Sequence, residues 1–217
     1  MDKAILAPTL DVVDAVNEYM IEKMSGDCHK YFSSNTVCKS DSAGDMLGDV
    51  HTPEFLNSIK CSGVPNHELN LKVGTPVMLL RNIDPSNGLC NGTRLLITRL
   101  GSYVLECKIL TGHNAGEKVL LPRLSLTPSE VRVPFKFQRR QFPVMISYAM
   151  TINKSQGQSL ANVGLYLRKP VFSHVQLNVA VSRVTNPNGL KILLCPAEDD
   201  KANSTVNVVY KEIFQNL

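Results

Sequence analysis

The chain has 217 residues, of which 43% are hydrophobic and 19% charged, so it can bury a core and is not disordered, collagen-like or coiled-coil as a whole. No apolar run approaches the roughly 20 residues that cross a bilayer, and the first residues lack a signal-peptide layout, so we expect an intracellular chain without a membrane partner. The formal net charge of +4 tilts mildly toward a polyanionic partner.

The six cysteines contain no C-x-x-C pair. A chain of this length does not need disulfides, so we expect reduced thiols. Cys28, His29 and Cys38 fit no common zinc spacing, and we predict no metal site.

The first 66 residues begin like an α/β domain. Residues 3–7 form an apolar run that predicts a strand, and Thr9 is placed to cap a following helix. The residues that share one face of that helix are Val12, Val13, Val16 and Met20. Residues 25–66 are rich in Ser, Asp, Gly and Asn with little periodicity, which predicts an irregular connection.

The middle of the chain has the texture of a small β-barrel. Short β-type runs are separated by Asn-Gly, Gly-Ser and other glycine-rich turns, and these runs lie at 76–80, 94–100, 103–110 and 118–121. Residues 112–118 superficially resemble a phosphate-binding loop, but their spacing is wrong and they lie between two predicted strands. We therefore predict a hairpin turn there.

Strands and helix-length segments alternate again toward the end of the chain. Apolar runs at 144–149, 163–167 and 190–194 predict strands, and 151–160 and 173–184 predict helices. This alternation is typical of a parallel sheet covered by helices. Apolar residues then recur at helical spacing and predict a tail helix over 201–217 that packs on the body; they are Val206, Val209, Tyr210, Ile213, Phe214 and Leu217.

Three segments carry groups suited to chemistry. Segment 149–160, AMTINKSQGQSL, follows a strand and is dense in groups that hydrogen-bond phosphates, although an ordinary capped helix is the alternative. Arg183 ends a predicted helix and either satisfies its last carbonyls or forks onto a phosphate. The basic stretch 132–140 is interleaved with phenylalanines, which suits a single-strand groove and equally a strand with an apolar inner face.

Together these segments resemble the Pif (petite integration frequency) family of superfamily-one, RecD-like ATP-dependent DNA helicases, most closely its plant and transposon-associated, Helitron-like branch. LAPT at 6–9, with Val13, Asp14 and Asn17, resembles motif IV, and Arg183 stands at the motif VI arginine. The other matching blocks are LKVGTPVMLLRNID at 71–84, NGTRL at 91–95, and RRQFP at 139–143, which leads into motif V.

The resemblance implies the C-terminal half of such a helicase. Its fold would be α/β: a second RecA-like domain of the P-loop NTPase superfamily, with helices on both faces of a parallel sheet and an SH3-like β-barrel insertion. We expect the first part of the RecA-like domain at 1–66, the barrel at 67–135, the remainder with motifs V and VI at 136–200, and the tail helix at 201–217.

The resemblance also implies roles for individual residues. Arg183 is the expected catalytic arginine finger, and Gln156, Gly157 and Arg183 are expected to bind the nucleotide. The residues expected to bind nucleic acid are Thr151, Asn153, Lys154, Ser155, Arg139 and Arg140. Motif VI departs from the family at Val175, Asn178 and Val181, where Gly, Tyr and Leu are common.

The implied function is a part of a helicase that couples ATP hydrolysis to 5′-3′ translocation on single-stranded DNA and to duplex unwinding. ATP and Mg²⁺ would serve the complete enzyme, but the chain has no G-x-x-x-x-G-K-[ST] segment, so we expect no autonomous catalysis or tight nucleotide binding. Expected partners are single-stranded DNA and an N-terminal RecA-like half in trans. The expected compartment is the nucleus, with mitochondria as the alternative. There are two alternative functions. One is a non-enzymatic DNA-binding or regulatory module derived from a transposon helicase, and the other is a product without activity.

Overall fold

The computed structural model describes residues 3–38, 52–61, 63–128, 135–195 and 204–210. The helices are α1 (Leu10–Lys23), α2 (Pro53–Ser58) and α3 (Gln176–Val181). The strands are β1 (Lys3–Ala7), β2 (His29–Phe32), β3 (Ser34–Val37), β4 (Glu68–Leu71), β5 (Pro76–Leu79), β6 (Arg94–Leu100), β7 (Val104–Ile109), β8 (Lys118–Pro122), β9 (Leu124–Leu126), β10 (Phe137–Gln141), β11 (Val144–Ile146), β12 (Ala149–Thr151), β13 (Asn162–Leu167) and β14 (Leu190–Leu194). These elements form two compact units: a parallel-sheet unit of residues 1–22 and 147–217, and an inserted unit of residues 23–146.

The parallel-sheet unit contains a sheet of the order β12-β1-β13-β14, in which every neighbouring pair is parallel. Helix α1 packs on this sheet because its apolar stripe meets small side chains of the strands: Val12 and Val13 form a buried cluster with Ala7 and Ala149. The predicted α/β alternation with a parallel sheet is confirmed.

Between β1 and β13, the side of the sheet toward which the chain connections run changes. The connection from β1 to β12 steps to one side, and the connection from β13 to β14 steps to the other. Because such crossovers are almost always right-handed, we expect α1 and α3 on opposite faces of the sheet. In open α/β sheets, ligands bind beyond the carboxyl ends of the strands.

The edge of β12 is closed by a side chain of α1. Asn17 Nδ2 donates to the Ala149 carbonyl oxygen at 3.1 Å, and Asn17 Oδ1 accepts from the Ala149 N–H at 2.8 Å. On the other side of the strand, the Ile5 N–H donates to the Tyr148 carbonyl oxygen at 3.0 Å. The amide of Asn17, which is buried, thus takes the place that the backbone of a further strand would occupy.

The inserted unit is built from antiparallel strands. Its largest sheet has the order β11-β5-β6-β7-β8, and two smaller sheets are β3-β10-β9 and β2-β4. Inward-facing side chains of several strands form one core, with Leu79, Leu95, Ile97, Leu105 and Phe142 fully buried. The strands predicted at 76–80, 94–100, 103–110 and 118–121 are confirmed with small shifts at their ends. Closure of this sheet into an SH3-like barrel stays a prediction.

The apolar run 144–149, predicted as one strand, forms two. Strand β11 pairs antiparallel with β5, whereas β12 pairs parallel with β1, and the two units meet between residues 146 and 147. Residues 23–66 and 136–146, which we expected in the RecA-like domain, belong to the inserted unit, because β2, β3 and β10 pair within it.

Two predicted helices differ in the structure. Segment 151–160 forms only a 3-10 turn, Ile152–Ser155, and Gly157 follows with φ at 81°, a conformation that ends a helix. Of the predicted tail helix, the structure describes 204–210, which are not helical, and 201–203 and 211–217 lie outside the described residues. Among the described residues, no helix is long and apolar enough to cross a membrane.

Candidate functional site

The turn after β12 carries most of the predicted site. Thr151 ends the strand, and its Oγ1 accepts from the Lys154 N–H at 3.4 Å, which caps the turn. Ser155 Oγ donates to the Ile152 carbonyl oxygen at 2.6 Å. The turn is therefore held by its own hydroxyl groups at the carboxyl end of a parallel strand.

The predicted residues of this turn divide into exposed and buried ones. Asn153, Gln156 and Gly157 are exposed, and Thr151 is half-buried. Ser155 is fully buried and its hydroxyl is bonded within the turn, so it does not face solvent, and its expected part in DNA binding stays a prediction. Its role is to shape the turn.

Lys154 is half-buried beside α1. Burial lowers the pKa of its ammonium, and the carboxylate of Asp14 on α1 opposes this effect. An ammonium that has already lost part of its hydration pays less desolvation free energy when a phosphate binds. The sequence places Asp14 in the block that resembles motif IV, but no residue pattern shows that it interacts with Lys154.

Arg183 ties the end of α3 to the turn after β12. Its Nε donates to the Val179 carbonyl oxygen at 3.0 Å, Nη1 donates to the Gln158 carbonyl oxygen at 3.3 Å, and Nη2 donates to Ser182 Oγ at 2.9 Å. Of the five guanidinium N–H groups, these bonds use one on each nitrogen and leave one on Nη1 and one on Nη2. Arg183 thus satisfies a helix carbonyl and keeps donors for a further acceptor.

The structure brings the predicted motif V and motif VI residues together within one unit. A parallel bridge between Leu160 and Val184 lies beside the Arg183–Gln158 bond. The Gln158 carbonyl could not be predicted from the sequence, because a backbone acceptor leaves no signal in the residue types.

Val175, a departure from the family pattern, precedes α3 in a left-handed conformation. Its φ is 65°, and it is the only non-glycine residue with positive φ among those that the structure describes. A β-branched residue is strained there, whereas glycine adopts this conformation freely. The structure therefore gives a physical reason for the glycine that is common in the family at this position.

We expect Val175→Gly to raise the free energy of unfolding by about 1 kcal/mol, because relief of strain exceeds the added entropy of the unfolded chain. Urea unfolding followed by circular dichroism would measure the change. Val181→Gly, in the helical region of α3, is the control and should destabilise by about 0.5 kcal/mol. A loss of stability in Val175→Gly would contradict the strain.

Arg139, predicted to bind nucleic acid, is fully buried in the inserted unit. Its guanidinium lies 5.5 Å from the ring centre of Phe137, and burial lowers its pKa. It donates at 2.6 to 3.0 Å to Asn35 Oδ1 and to the carbonyl oxygens of Leu56, Ile59 and Pro65. The expectation that Arg139 contacts DNA is wrong, because its donors are used inside the protein.

Arg140, the next residue of β10, points to the opposite face and is exposed. It stands opposite Ser34 of β3 and Ser125 of β9, both exposed. On the same face, Lys136 is exposed and Gln138 is half-buried. We call this surface the Arg140 face. Its hydroxyl, guanidinium and ammonium groups are those that bind phosphate oxygens.

No group of His, Cys, Asp and Glu residues suited to a metal ion occurs within the described ranges.

Comparison with known proteins finds similarity to DNA helicases. A family described as "DNA helicase Pif1, 2B domain" matches residues 54–100. The ATP-dependent DNA helicase PIF1 of Xenopus laevis is 27% identical over 203 residues, covering 94% of this chain and 29% of that protein. The rat protein of the same name is 31% identical over 159 residues, covering 69% of this chain and 24% of that protein.

A solved structure shares the fold. It is a Pif1 helicase from Bacteroides in complex with ADP-AlF3 and ssDNA, with a TM-score of 0.67 and 20% identity, covering 98% of this chain and 43% of that chain. The chain therefore spans less than a third of the two curated relatives and less than half of the solved structure.

Proposed function

We propose that the chain, which is similar to Pif1-type ATP-dependent DNA helicases, works as part of such a helicase, in which it grips single-stranded DNA. In the complete enzyme, ATP hydrolysis would drive 5′-3′ movement along that strand and duplex unwinding. The observation that carries the proposal is the junction of the turn after β12 with the end of α3 through Arg183 and Gln158. Through this junction, the turn that we assign to the DNA backbone is joined to Arg183, which we assign to the nucleotide.

Arg183 is the group we assign to ATP. The N–H groups that its protein bonds leave over suit an oxygen of the transferring phosphoryl group, which gains negative charge in the transition state. Gln156 and Gly157 are exposed and directly precede Gln158, whose carbonyl oxygen accepts from Arg183, and they would lie beside the nucleotide. Bound ATP and Mg²⁺ would supply the phosphoryl group and neutralise its charge, and the chain's part is to orient Arg183.

Single-stranded DNA is the partner we assign to Thr151, Asn153 and Lys154 in one unit, and to the Arg140 face in the other. The Bacteroides relative is solved with ssDNA. Each surface offers side-chain amide, hydroxyl or cationic donors, which position a backbone without reading sequence. We further propose an N-terminal RecA-like half in trans, descent from the plant or transposon-associated branch, and a nuclear location.

We expect the chain to bind a fluorescent single-stranded oligonucleotide, with an affinity that falls steeply as salt rises. Arg140→Ala and Lys154→Ala should each weaken binding about 3- to 10-fold and reduce the slope of log K against log salt by about 0.7, the value for one lost phosphate contact. Fluorescence anisotropy over a salt series measures both quantities.

Arg99→Ala is the matched control, because Arg99 is an exposed arginine of β6, in a different sheet of the inserted unit from β10 and Arg140. It removes the same charge and should leave the slope unchanged. Absence of binding at low salt, or an equal effect of Arg99→Ala and Arg140→Ala, would contradict DNA gripping at these residues.

A second candidate function is a non-enzymatic DNA-binding or regulatory module derived from a transposon helicase. The exposed donors of Asn153 and of the Arg140 face would serve such a module without a nucleotide site. An ATPase assay with a separate N-terminal RecA-like half distinguishes the two, since a helicase part should raise turnover in an Arg183-dependent manner and a regulatory module should not.

A further inference from the structure

Phe32, the last residue of β2, places a large aromatic ring on the surface of the inserted unit. Its side chain is exposed, and the residue as a whole is 54% exposed. A single exposed apolar residue is common on protein surfaces and indicates nothing by itself. The function of this ring therefore has to be argued from the groups that hold it and from the charges around it.

The backbone beneath the ring is held from two sides. Arg123 Nη1 donates to the Phe32 carbonyl oxygen at 2.7 Å, and the Ser33 N–H donates to the His67 carbonyl oxygen at 2.9 Å. The guanidinium of Arg123 is itself packed 4.8 Å from the ring centre of the buried Phe142. A ring mounted on so well-bonded a backbone loses little conformational entropy when it binds a ligand.

A second ring supports Phe32. The rings of Phe32 and His67 lie with their centres 5.5 Å apart and their planes tilted by 40°, and Ser33 Oγ lies 2.8 Å from His67 Nδ1. Burial lowers the pKa of His67, and the guanidinium of Arg139 lowers it further. A neutral imidazole thus packs beside the phenyl ring, whose exposed part is open to a flat ligand.

Phe32 lies next to the Arg140 face. Ser33 Oγ contacts Asn35 Oδ1 at 3.4 Å, so these two side chains share one side of the chain. Because side chains alternate along an extended chain, Phe32 and Ser34 lie on the other side, about 7 Å apart along the chain. Ser34 stands directly opposite Arg140. An aromatic ring and a cation that binds phosphate are therefore neighbours.

The carboxylate nearest in register to Phe32 is already paired. Glu68 stands opposite Phe32 on β4, where it accepts from Asn70 Nδ2 at 2.9 Å and lies 3.2 Å from Lys30 Nζ. These bonds lower the pKa of Glu68, with that from Asn70 contributing most. Since Lys30 compensates the charge of Glu68, Arg140 and Arg123 leave the surroundings of the ring positive.

We propose that Phe32 is a stacking platform for one nucleobase of a single DNA strand whose phosphates lie on the Arg140 face. Every base has a π-face, so the platform accepts any base. A base inside a duplex is stacked and paired, and taking it out costs free energy, so the platform favours single strands. The inference rests on the proposed function and adds to it a contact with the bases.

Tryptophan fluorescence tests the stacking directly, because the chain has no tryptophan and Phe32→Trp introduces a single one. Oligothymidylate should quench the emission of Phe32→Trp, because a base stacks on the indole ring. An abasic sugar-phosphate strand of the same length should bind without quenching. Tyr103→Trp is the control: Tyr103 is 83% exposed between β6 and β7, in a different sheet from Arg140, and its emission should stay unchanged.

Fluorescence anisotropy with labelled strands provides the second measurement. Phe32→Ala should weaken binding of oligothymidylate about fivefold or more and leave binding of the abasic strand unchanged. Arg140→Ala should weaken binding of both strands, because it removes a phosphate contact.

The outcomes separate this inference from the proposed function. Binding that depends on Arg140, with no quenching of Phe32→Trp and no loss of affinity in Phe32→Ala, would overturn the stacking platform and leave DNA gripping intact. An equal loss for both strands in Phe32→Ala would also overturn it, because the ring would then act without a base. Failure of the wild type to bind either strand at low salt would overturn both.

Discussion

Replacing Arg139 with methionine should lower the free energy of unfolding by about 3 to 5 kcal/mol. Methionine retains an unbranched apolar stem but leaves the carbonyl oxygens of Ile59 and Pro65 without the Arg139 donor, and the Leu56 carbonyl oxygen with only the Ile59 N–H. Each buried acceptor that loses its partner costs about 1 to 3 kcal/mol. Urea unfolding monitored by circular dichroism, with linear extrapolation, measures the loss.

The neighbouring Arg140→Met is the matched control. Arg140 carries the same charge on the same strand but is exposed, so its replacement should change stability by no more than about 0.5 kcal/mol. Equal unfolding midpoints for the two variants would show that the guanidinium of Arg139 does not hold the inserted unit together.

Asn17→Ala should destabilise the chain by about 2 to 4 kcal/mol. The substitution removes both hydrogen bonds to Ala149 and leaves a buried N–H and a buried carbonyl at the edge of β12. Glu18→Ala, on the exposed side of the same helix, should change stability by less than about 0.5 kcal/mol. Chemical unfolding of the two variants provides the comparison.

Asn17→Asp gives this prediction a pH dependence. An ionised carboxylate accepts from the Ala149 N–H but repels the Ala149 carbonyl, and burial also disfavours the charge, so its folded pKa should rise above the ordinary value. Protons then bind the folded state more tightly, and stability should be regained as pH falls from 7 toward 4, relative to the wild type. If Asn17→Asp lowered the free energy of unfolding by the same amount at every pH, that result would contradict the hydrogen bonds between Asn17 and Ala149.

The regular parts of the fold could be predicted from the sequence because the period of apolar residues and the turn residues are local signals. Strand β6 matches its predicted bounds, and the helix over α1 was read from its apolar stripe. The prediction of one strand over 144–149 is wrong, because both halves of this run are apolar and nothing in the residue types marks a change from one sheet to another.

The site was harder to predict because exposure depends on distant segments. Arg139 and Arg140 are identical in type, and only the carbonyls of residues 56–65, which show no periodicity, decide which one is buried. Ser155 turns inward for a similarly local geometric reason, its bond to Ile152. Val175 was noticed as a departure from the family, but the reason required its φ angle.

The interrupted sequence of the parallel-sheet unit has a kinetic consequence. Strands β1 and β12 are neighbours in the sheet, yet the whole inserted unit separates them along the chain. A ribosome therefore releases β1 and α1 long before their partner strand exists, while residues 23–146 can fold as one continuous piece. Folding of that piece first would shorten the loop that β1 and β12 must close, and so reduce the entropy cost of the last assembly step.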